Sequence, residues 1–358
     1  MAIVREGVGF QLLCFGFGQL IMLLNVVTGI FSKYLTRENA SLPTLQSTAL
    51  YVVLALVYLS LHYFRKHQQQ RGAVQEHQPT GVQWWFYVLL AVADVEGNYF
   101  AVKAFNYANY ATLGLLLNMT VPFVTLFCYV FLKTRYSWQH YLGAVIAVGG
   151  AVVIFVSDYD ASINAFYSTG DKIRGDVYAL IAAAFYATSN VMIQSVVKVR
   201  DMDANVEVLG FLGLWASLIS IVQILILERT PIADTDFNAR IYGYLAGYVA
   251  VLFTFYTITS VFLRWAESLM FNLNLLTGPI FTVLASYLIF DESVNKWYWL
   301  ALGFVYVGLA VYSTAPAPLE TGSKPHQQLG KADDEFIELS TPNLQMPVHK
   351  PDDRIGHV

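Results

Sequence analysis

Long apolar segments recur along the chain and constrain its fold more than any other feature. A helix needs roughly 20 predominantly apolar residues to cross a bilayer. Ten such segments lie near residues 10–31, 44–64, 83–106, 109–132, 139–157, 176–197, 206–227, 241–263, 268–290 and 297–314. Only 13% of the 358 residues are charged, whereas a soluble domain carries about 25%. The sequence therefore predicts an all-α membrane protein with ten transmembrane helices.

An internal repeat divides these ten segments into two sets of five. When the chain is shifted by 157 residues, "TVPFVT" (120–125) aligns with "TGPIFT" (277–282), and Tyr99 aligns with Tyr256. Five is an odd number, so the second copy crosses the membrane in the opposite sense to the first. Inverted repeats are typical of secondary transporters, which bind substrate between the halves near the midplane. We expect one half at 1–157 and an inverted half at 158–314.

The remaining residues, 315–358, differ in composition from the rest of the chain. Prolines are scattered there among polar and charged residues, a pattern typical of disorder. The short loops on the side of the N-terminus hold slightly more basic residues than the loops on the opposite side. By the positive-inside rule, both termini and the disordered tail are predicted to be cytosolic. The expected location is the plasma membrane or an endomembrane.

Three charges interrupt the third apolar segment, in "DVEGNYFAVKAF" (94–105). A charge at the centre of a spanning helix costs about 2.5–3.5 kcal/mol and persists mainly where it faces a partner or a water-filled cavity. Glu96 and Lys103 are seven residues apart and share one helical face with Tyr99, whereas Asp94 and Asn98 share another. Two interpretations stay open: these residues line a translocation cavity, or they form a polar network between helices.

Two prolines occupy equivalent positions in the repeat. Proline removes an intrahelical hydrogen bond, so Pro122 and Pro279 are predicted to mark matching kinks, either bending during gating or inherited without motion. Polar residues surround both prolines, and Asn190 lies in the sixth segment. The candidate substrate-binding residues are Asp94, Glu96, Asn98, Tyr99, Lys103, Asn118, Asn190, Asn272 and Asn274.

Other classes of function find little support. The histidines lack metal-ligand spacing, and neither a phosphate loop nor a nucleophile elbow occurs. Cys14 and Cys128 fall inside apolar segments, and the net charge of -4 is too small to indicate nucleic-acid binding. No enzymatic activity, cofactor or metal is therefore expected. Aromatic residues make up 15% of the chain, which favours a flat heterocyclic solute.

The charged stretch also resembles a known family. "ADVEGNYFAVKAFNYA" (93–108) is similar to the third-span signature of the F branch of solute carrier family 35, within the drug/metabolite transporter superfamily. "SNV" (189–191), "EVLGFLGLWASLISIVQILILE" (207–228) and "FNLNLLTGP" (271–279) also resemble it. The resemblance implies ten helices in two inverted halves and transport of a small polar or heterocyclic solute, such as a nucleobase- or nucleoside-like compound. It also gives Asp94, Glu96, Asn98 and Lys103 the signature positions.

Two alternatives remain. One is a nucleotide-sugar antiporter of the Golgi or endoplasmic reticulum, although Lys103 is the one basic residue clearly inside a segment. The other is a non-transporting scaffold or receptor that interacts through its tail. The expected partners are a small-molecule solute and the lipid bilayer, with a homodimer left open.

Overall fold

The computed structural model describes residues 8–71, 82–131, 133, 135–158, 168–197, 202–265, 274–275, 277–292, 294 and 296–315. These residues form twelve α-helices and one π-helical turn. The helices are α1 (Val8–Arg37), α2 (Pro43–Gln70), α3 (Trp84–Ala104), α4 (Tyr110–Leu117), α5 (Thr120–Phe131), α6 (Trp138–Asp158), α7 (Thr169–Val197), α8 (Met202–Gln223), α9 (Arg229–Asp234), α10 (Ala239–Trp265), α11 (Gly278–Phe290) and α12 (Lys296–Ser313), with the π-helical turn at Ile224–Glu228.

Seven stretches in the described residues are long and apolar enough to cross a membrane: Phe15–Arg37, Pro43–Gln68, Tyr110–Phe131, Trp138–Val156, Thr169–Ile193, Ala204–Asp234 and Ala239–Phe262. The three other predicted segments correspond in position to α3, α11 and α12. α3 carries three charged residues, and the described part of α11 has only 13 residues. The chain is thus a multi-pass membrane protein, and all regular elements in its described part are helices. The predicted tail, from residue 316 onward, lies outside the described residues.

Four helix pairs make the most extensive contacts. α6 packs against α12, α2 against α8, α3 against α7, and α1 against α10. α3 also contacts α8, α10 contacts α2, and α4 contacts α11. Helices distant in sequence are therefore neighbours. Each of the four main pairs joins a helix from residues 1–158 to a helix from the rest of the chain.

Small residues bring α6 and α12 into backbone contact. A Cβ atom added at Gly143 would lie 2.4 Å from the Gly308 carbonyl oxygen, and one added at Gly308 would lie 2.5 Å from the Gly143 carbonyl oxygen. Glycines permit this close approach of helices within membranes. The glycine-rich strings at 142–153 and 301–311 thus contact each other inside the bundle.

The helix break near Pro122 lies upstream of the proline itself. α4 ends at Leu117, α5 begins at Thr120, and Pro122 lies in the first turn of α5. Proline cannot donate to the carbonyl four residues earlier and clashes with it, and that carbonyl belongs to Asn118. Pro279 similarly lies in the first turn of α11. Both prolines therefore mark the start of a helix, and their role in gating stays a prediction.

Candidate functional site

The Asp94 carboxylate lies in a hydrogen-bonded cluster and is 3% exposed. Tyr51 and Tyr256 each donate a hydroxyl group to Oδ2 at 2.7 Å. Ser189 donates to Oδ1 at 3.1 Å, and the Nδ2 amide of Asn98 donates to Oδ2 at 3.2 Å. Burial of a carboxylate is costly unless hydrogen bonds satisfy it. Four donors meet that requirement here.

This cluster joins four helices. Tyr186 extends it by donating its hydroxyl group to Asn98 Oδ1 at 3.0 Å. We call the group the Asp94 cluster, with Tyr51 on α2, Asp94 and Asn98 on α3, Tyr186 and Ser189 on α7, and Tyr256 on α10. Asp94 takes part in no ion pair among the described residues. In the described residues, this buried carboxyl group is therefore held by neutral donors.

Glu96 and Lys103 share a face of α3, as expected, and this face meets the end of α8. Glu96 Oε1 accepts a hydrogen bond from Gln223 Nε2 at 3.0 Å. Lys103 donates from Nζ to the Tyr99 hydroxyl at 2.7 Å, and its ammonium lies 5.6 Å from the centroid of the Tyr178 ring. Both charged side chains are only partly buried. They are therefore more accessible than Asp94.

The π-helical turn after α8 places Glu228 against the start of α2. Its carboxylate accepts the backbone N–H groups of Thr44 at 2.6 Å and Leu45 at 2.9 Å. These N–H groups belong to the first turn of α2 and have no partner within that helix. An anion here also favourably meets the positive end of the helix dipole. Glu228 is 4% exposed, so it serves as a buried cap.

A buried ionic cluster, separate from the Asp94 cluster, lies where α1 ends and α12 begins. Lys33 is 1% exposed, and its Nζ lies 3.2 Å from Glu292 Oε1. The same ammonium donates to the carbonyl oxygens of Phe105 at 3.2 Å and Ala108 at 3.1 Å. Arg37 Nη2 lies 3.8 Å from Glu292 Oε1. This ionic cluster ties α1 to the α3–α4 connection and to the α11–α12 connection.

The candidate asparagines are distributed over several sites. Asn274 Oδ1 accepts a hydrogen bond from Gln19 Nε2 at 3.0 Å, which links α1 to the segment before α11. Asn118 follows α4, and its Nδ2 is buried with no hydrogen-bond partner in the part of the chain that the structure describes. Asn190 is partly buried on α7, next to Ser189 of the Asp94 cluster. Asn272 lies outside the described residues.

The sequence-based interpretation missed several of these participants. It ended the first segment near residue 31, before Lys33, whereas Lys33 lies inside α1 and is buried. It did not single out Glu292, Glu228 or Gln223. It named Tyr256 only as the repeat match of Tyr99, and it did not name Tyr51 or Tyr186. The sequence offered one indication that Lys33 and Glu228 belong to the site: each is an ionisable residue close to the end of an apolar segment.

The solute carrier family 35 model (SLC35F) matches residues 10–314. Uncharacterized solute carrier family 35 member C320.08 of Schizosaccharomyces pombe is 30% identical over 320 residues, covering 89% of this chain and 61% of that protein. The chain thus spans less than two thirds of that relative's length. Solute carrier family 35 member F2 of Xenopus tropicalis is 27% identical over 333 residues, covering 92% of this chain and 83% of that protein.

The chain is also similar to a solved crystal structure, and this similarity concerns only the fold. It superposes with a TM-score of 0.53 at 18% sequence identity, covering 83% of this chain and 94% of the other. The family match covers most of the chain, including α3 and its charges. The chain therefore belongs to solute carrier family 35, in its F branch, and is a multi-pass membrane protein.

Proposed function

We propose that the protein is a secondary transporter that moves a small polar or heterocyclic organic solute, nucleobase- or nucleoside-like, by alternating access. In this proposal ten spans form two inverted halves, 1–157 and 158–314, which rock about a site at the Asp94 cluster. Both termini lie in the cytosol, in a plasma membrane or endomembrane protein. Pro122 and Pro279 mark the places where the helices bend.

Helix packing supports the inverted halves. If each helix is replaced by its counterpart 157 residues away, the α3–α7 contact becomes the α10–α1 contact. The α3–α8 contact likewise becomes the α10–α2 contact, and the α6–α12 and α2–α8 contacts map onto themselves. All of these contacts occur. Such exchange symmetry is the property expected of two repeats related by a pseudo-two-fold axis.

The observation that carries the proposal is the composition of the Asp94 cluster. Tyr51 and Asp94 come from the first half, whereas Ser189 and Tyr256 come from the second half. Any rocking of one half against the other must change the hydrogen bonds to Asp94. A buried ionisable residue between the repeats is where a transporter binds its substrate or coupling ion.

The chemistry of the surrounding groups favours a neutral heterocycle with N–H donors. Tyrosine rings can stack on a flat solute, and carboxylate oxygens at Asp94 and Glu96 accept hydrogen bonds. A nucleotide sugar needs concentrated positive charge for its diphosphate, yet Lys33 already contacts Glu292 and Lys103 already contacts Tyr99. The antiporter of nucleotide sugars is therefore the weaker alternative.

A thermal-shift screen of the purified transporter tests the solute class. Nucleobases, nucleosides, nucleotide sugars and vitamins are compared on the wild type, Glu96→Gln and Lys103→Ala. A ligand present at about 100 times its Kd stabilises a protein by about 2.7 kcal/mol, so the true class raises the wild-type melting temperature. We expect that rise to shrink in both variants, because these residues provide polar contacts on the accessible face of α3.

Uptake of the stabilising compound into proteoliposomes then separates transport from binding. Saturable uptake, accelerated by the same compound loaded inside the vesicles, supports alternating access. Equal stabilisation of all three proteins would instead place Glu96 and Lys103 outside the site. If no compound stabilises the protein or enters the vesicles, the scaffold alternative replaces the transporter proposal.

A further inference from the structure

We infer that Lys33 and Glu292 form an ionic gate that closes one side of the transporter and is not repeated at the equivalent positions of the other half. This inference rests on the proposed alternating access. The gate lies on the side where α1 ends and α2 begins, the predicted non-cytosolic side. We define the gate as Lys33, Arg37 and Glu292, together with the groups that they contact.

The contacts of the gate run between the proposed halves. Lys33 and Arg37 belong to α1, whereas Glu292 follows α11. Tyr110, at the start of α4, donates its backbone N–H to Glu292 Oε2 at 3.1 Å. Arg37 Nη2 donates to the Phe290 carbonyl oxygen. Opening this side must therefore break all of these contacts together.

The end of α3 and the start of α4 stabilise the two charges of the ion pair. Lys33 donates to the carbonyl oxygen of Phe105 at the end of α3, the negative end of that helix dipole, and to that of Ala108 in the α3–α4 connection. Glu292 accepts the Tyr110 N–H at the start of α4, the positive end of that dipole. Each charge thus meets a complementary backbone charge as well as its partner. Such pairing stabilises charges that are 1% and 8% exposed.

The turn after α11 sets the position of Glu292. Asp291 caps α11 in the left-handed conformation, with φ 54°. The chain then turns back, so that Glu292 N–H donates to the Ser286 carbonyl at 3.0 Å and Ser286 Oγ donates to Glu292 Oε2 at 3.2 Å. Glu292 is therefore held to α11 within its own half. When the gate opens, we expect Glu292 to move with α11 and to leave Lys33 with its carbonyl acceptors.

The positions equivalent to this pair in the sequence repeat do not carry an ion pair. The residue 157 positions after Lys33 is Asn190, and the residue 157 positions before Glu292 is Arg135. The counterpart of Arg37 is Gln194. One side thus has two cations around one anion, whereas the equivalent positions of the other side have one cation and no anion. This asymmetry favours the conformation that is closed at the ionic gate.

Cysteine accessibility tests the gate without any solute. Thr282 lies on α11 one turn from Ser286, is 5% exposed and packs against Gly114 of α4, so Thr282→Cys reports separation of α11 from α4 when the gate opens. The rate of its alkylation by a charged thiol reagent is measured in nanodiscs, and the rate of the parent chain, with native Cys14 and Cys128, is subtracted. Adding Glu292→Gln is expected to raise the alkylation rate about tenfold or more, because loss of one partner of a buried ion pair shifts such equilibria strongly.

Two further variants make the result decisive. Arg37 has a side chain 42% exposed and a longer contact with Glu292, so Arg37→Gln should raise the rate less while leaving the fold intact. Lys296→Gln removes an exposed charge near the same loop and should leave the rate unchanged. Unchanged alkylation in Glu292→Gln overturns the gate, as does a rise of equal size in Lys296→Gln. If Glu292→Gln fails to fold, an unchanged rate in Arg37→Gln overturns the gate and a rise supports it.

The two proposals fail in different ways. Faster alkylation in Glu292→Gln with no transported solute would contradict the proposed function and leave a closed ionic contact in place. Solute uptake with unchanged alkylation would contradict the gate alone.

Discussion

Replacing Asp94 by asparagine is expected to reduce solute uptake at least tenfold while the protein still folds. Asparagine has nearly the same shape, and its Oδ1 still accepts hydrogen bonds, but its NH₂ group donates where the carboxylate accepts. Tyr51 and Tyr256 donate to Oδ2 of Asp94, and Ser189 donates to Oδ1, so in either orientation the NH₂ group meets at least one hydroxyl group that must reorient. A tenfold loss corresponds to about 1.4 kcal/mol, just below the roughly 1.5–3 kcal/mol of one hydrogen bond to a charged group. Initial uptake rates into proteoliposomes measure the effect.

Two control variants define what the loss means. Asp94→Ala leaves the donors of Tyr51, Tyr256 and Ser189 without their acceptor, at about 1–3 kcal/mol for each buried group left unsatisfied. We expect a clearly lower melting temperature in that variant than in Asp94→Asn. Asp171→Asn removes an acidic group from the first turn of α7 that is 39% exposed and should retain uptake. Normal uptake in Asp94→Asn would remove Asp94 from the proposed site.

Replacing Gly308 by valine is expected to destabilise the bundle more than any surface substitution. The added Cβ would approach the Gly143 carbonyl oxygen at 2.5 Å and the Ala147 backbone nitrogen at 2.6 Å. These are backbone atoms, so α6 and α12 must separate rather than adjust a side chain. Overpacking of a core typically costs about 1–3 kcal/mol and occasionally more, and we expect the upper end here. The melting temperature in detergent measures the loss.

The same helix offers a matched control. Gly303 lies on α12, is exposed, and has no atom within 4 Å of an added Cβ. Gly303→Val should therefore leave the melting temperature close to that of the parent, because exposed substitutions usually change stability by less than about 0.5 kcal/mol. Similar losses in both variants would mean that valine acts through helix propensity and not through the α6–α12 contact.

Much of the fold could be predicted because hydrophobicity directly reports helices that cross a membrane. The predicted break between the third and fourth segments occurs at residues 105–109, between α3 and α4. The limits of the helices were less accurate, since α7 begins at Thr169 rather than near 176. Its first turns contain Asp171, Lys172 and Arg174. These charged residues are helical, but their low hydropathy placed them outside the predicted segment.

The candidate site was predicted less completely because burial and pairing depend on the tertiary structure. The charges of α3 stood out against an apolar background, and Asp94 and Asn98 do share one cluster. Tyr51 and Tyr186 are two of 23 tyrosines, and no local pattern separates them from the tyrosines that face lipid. Lys33 lies near a helix end, where lysine usually reaches the interface. Only the position of Glu292, 259 residues later in the chain, makes its burial favourable.

The π-helical turn at Ile224–Glu228 has a consequence for how this part of the chain tolerates change. One residue of an α-helix corresponds to a rotation of about 100°, and a π-helical turn accommodates one additional residue. Deleting a single residue before Glu228 in this turn would therefore restore an ordinary helix and leave Glu228 at the N–H groups of Thr44 and Leu45. Inserting a further residue there would exceed what the turn absorbs and would rotate Glu228 by about 100° away from these groups. The turn is therefore expected to tolerate shortening by one residue better than lengthening.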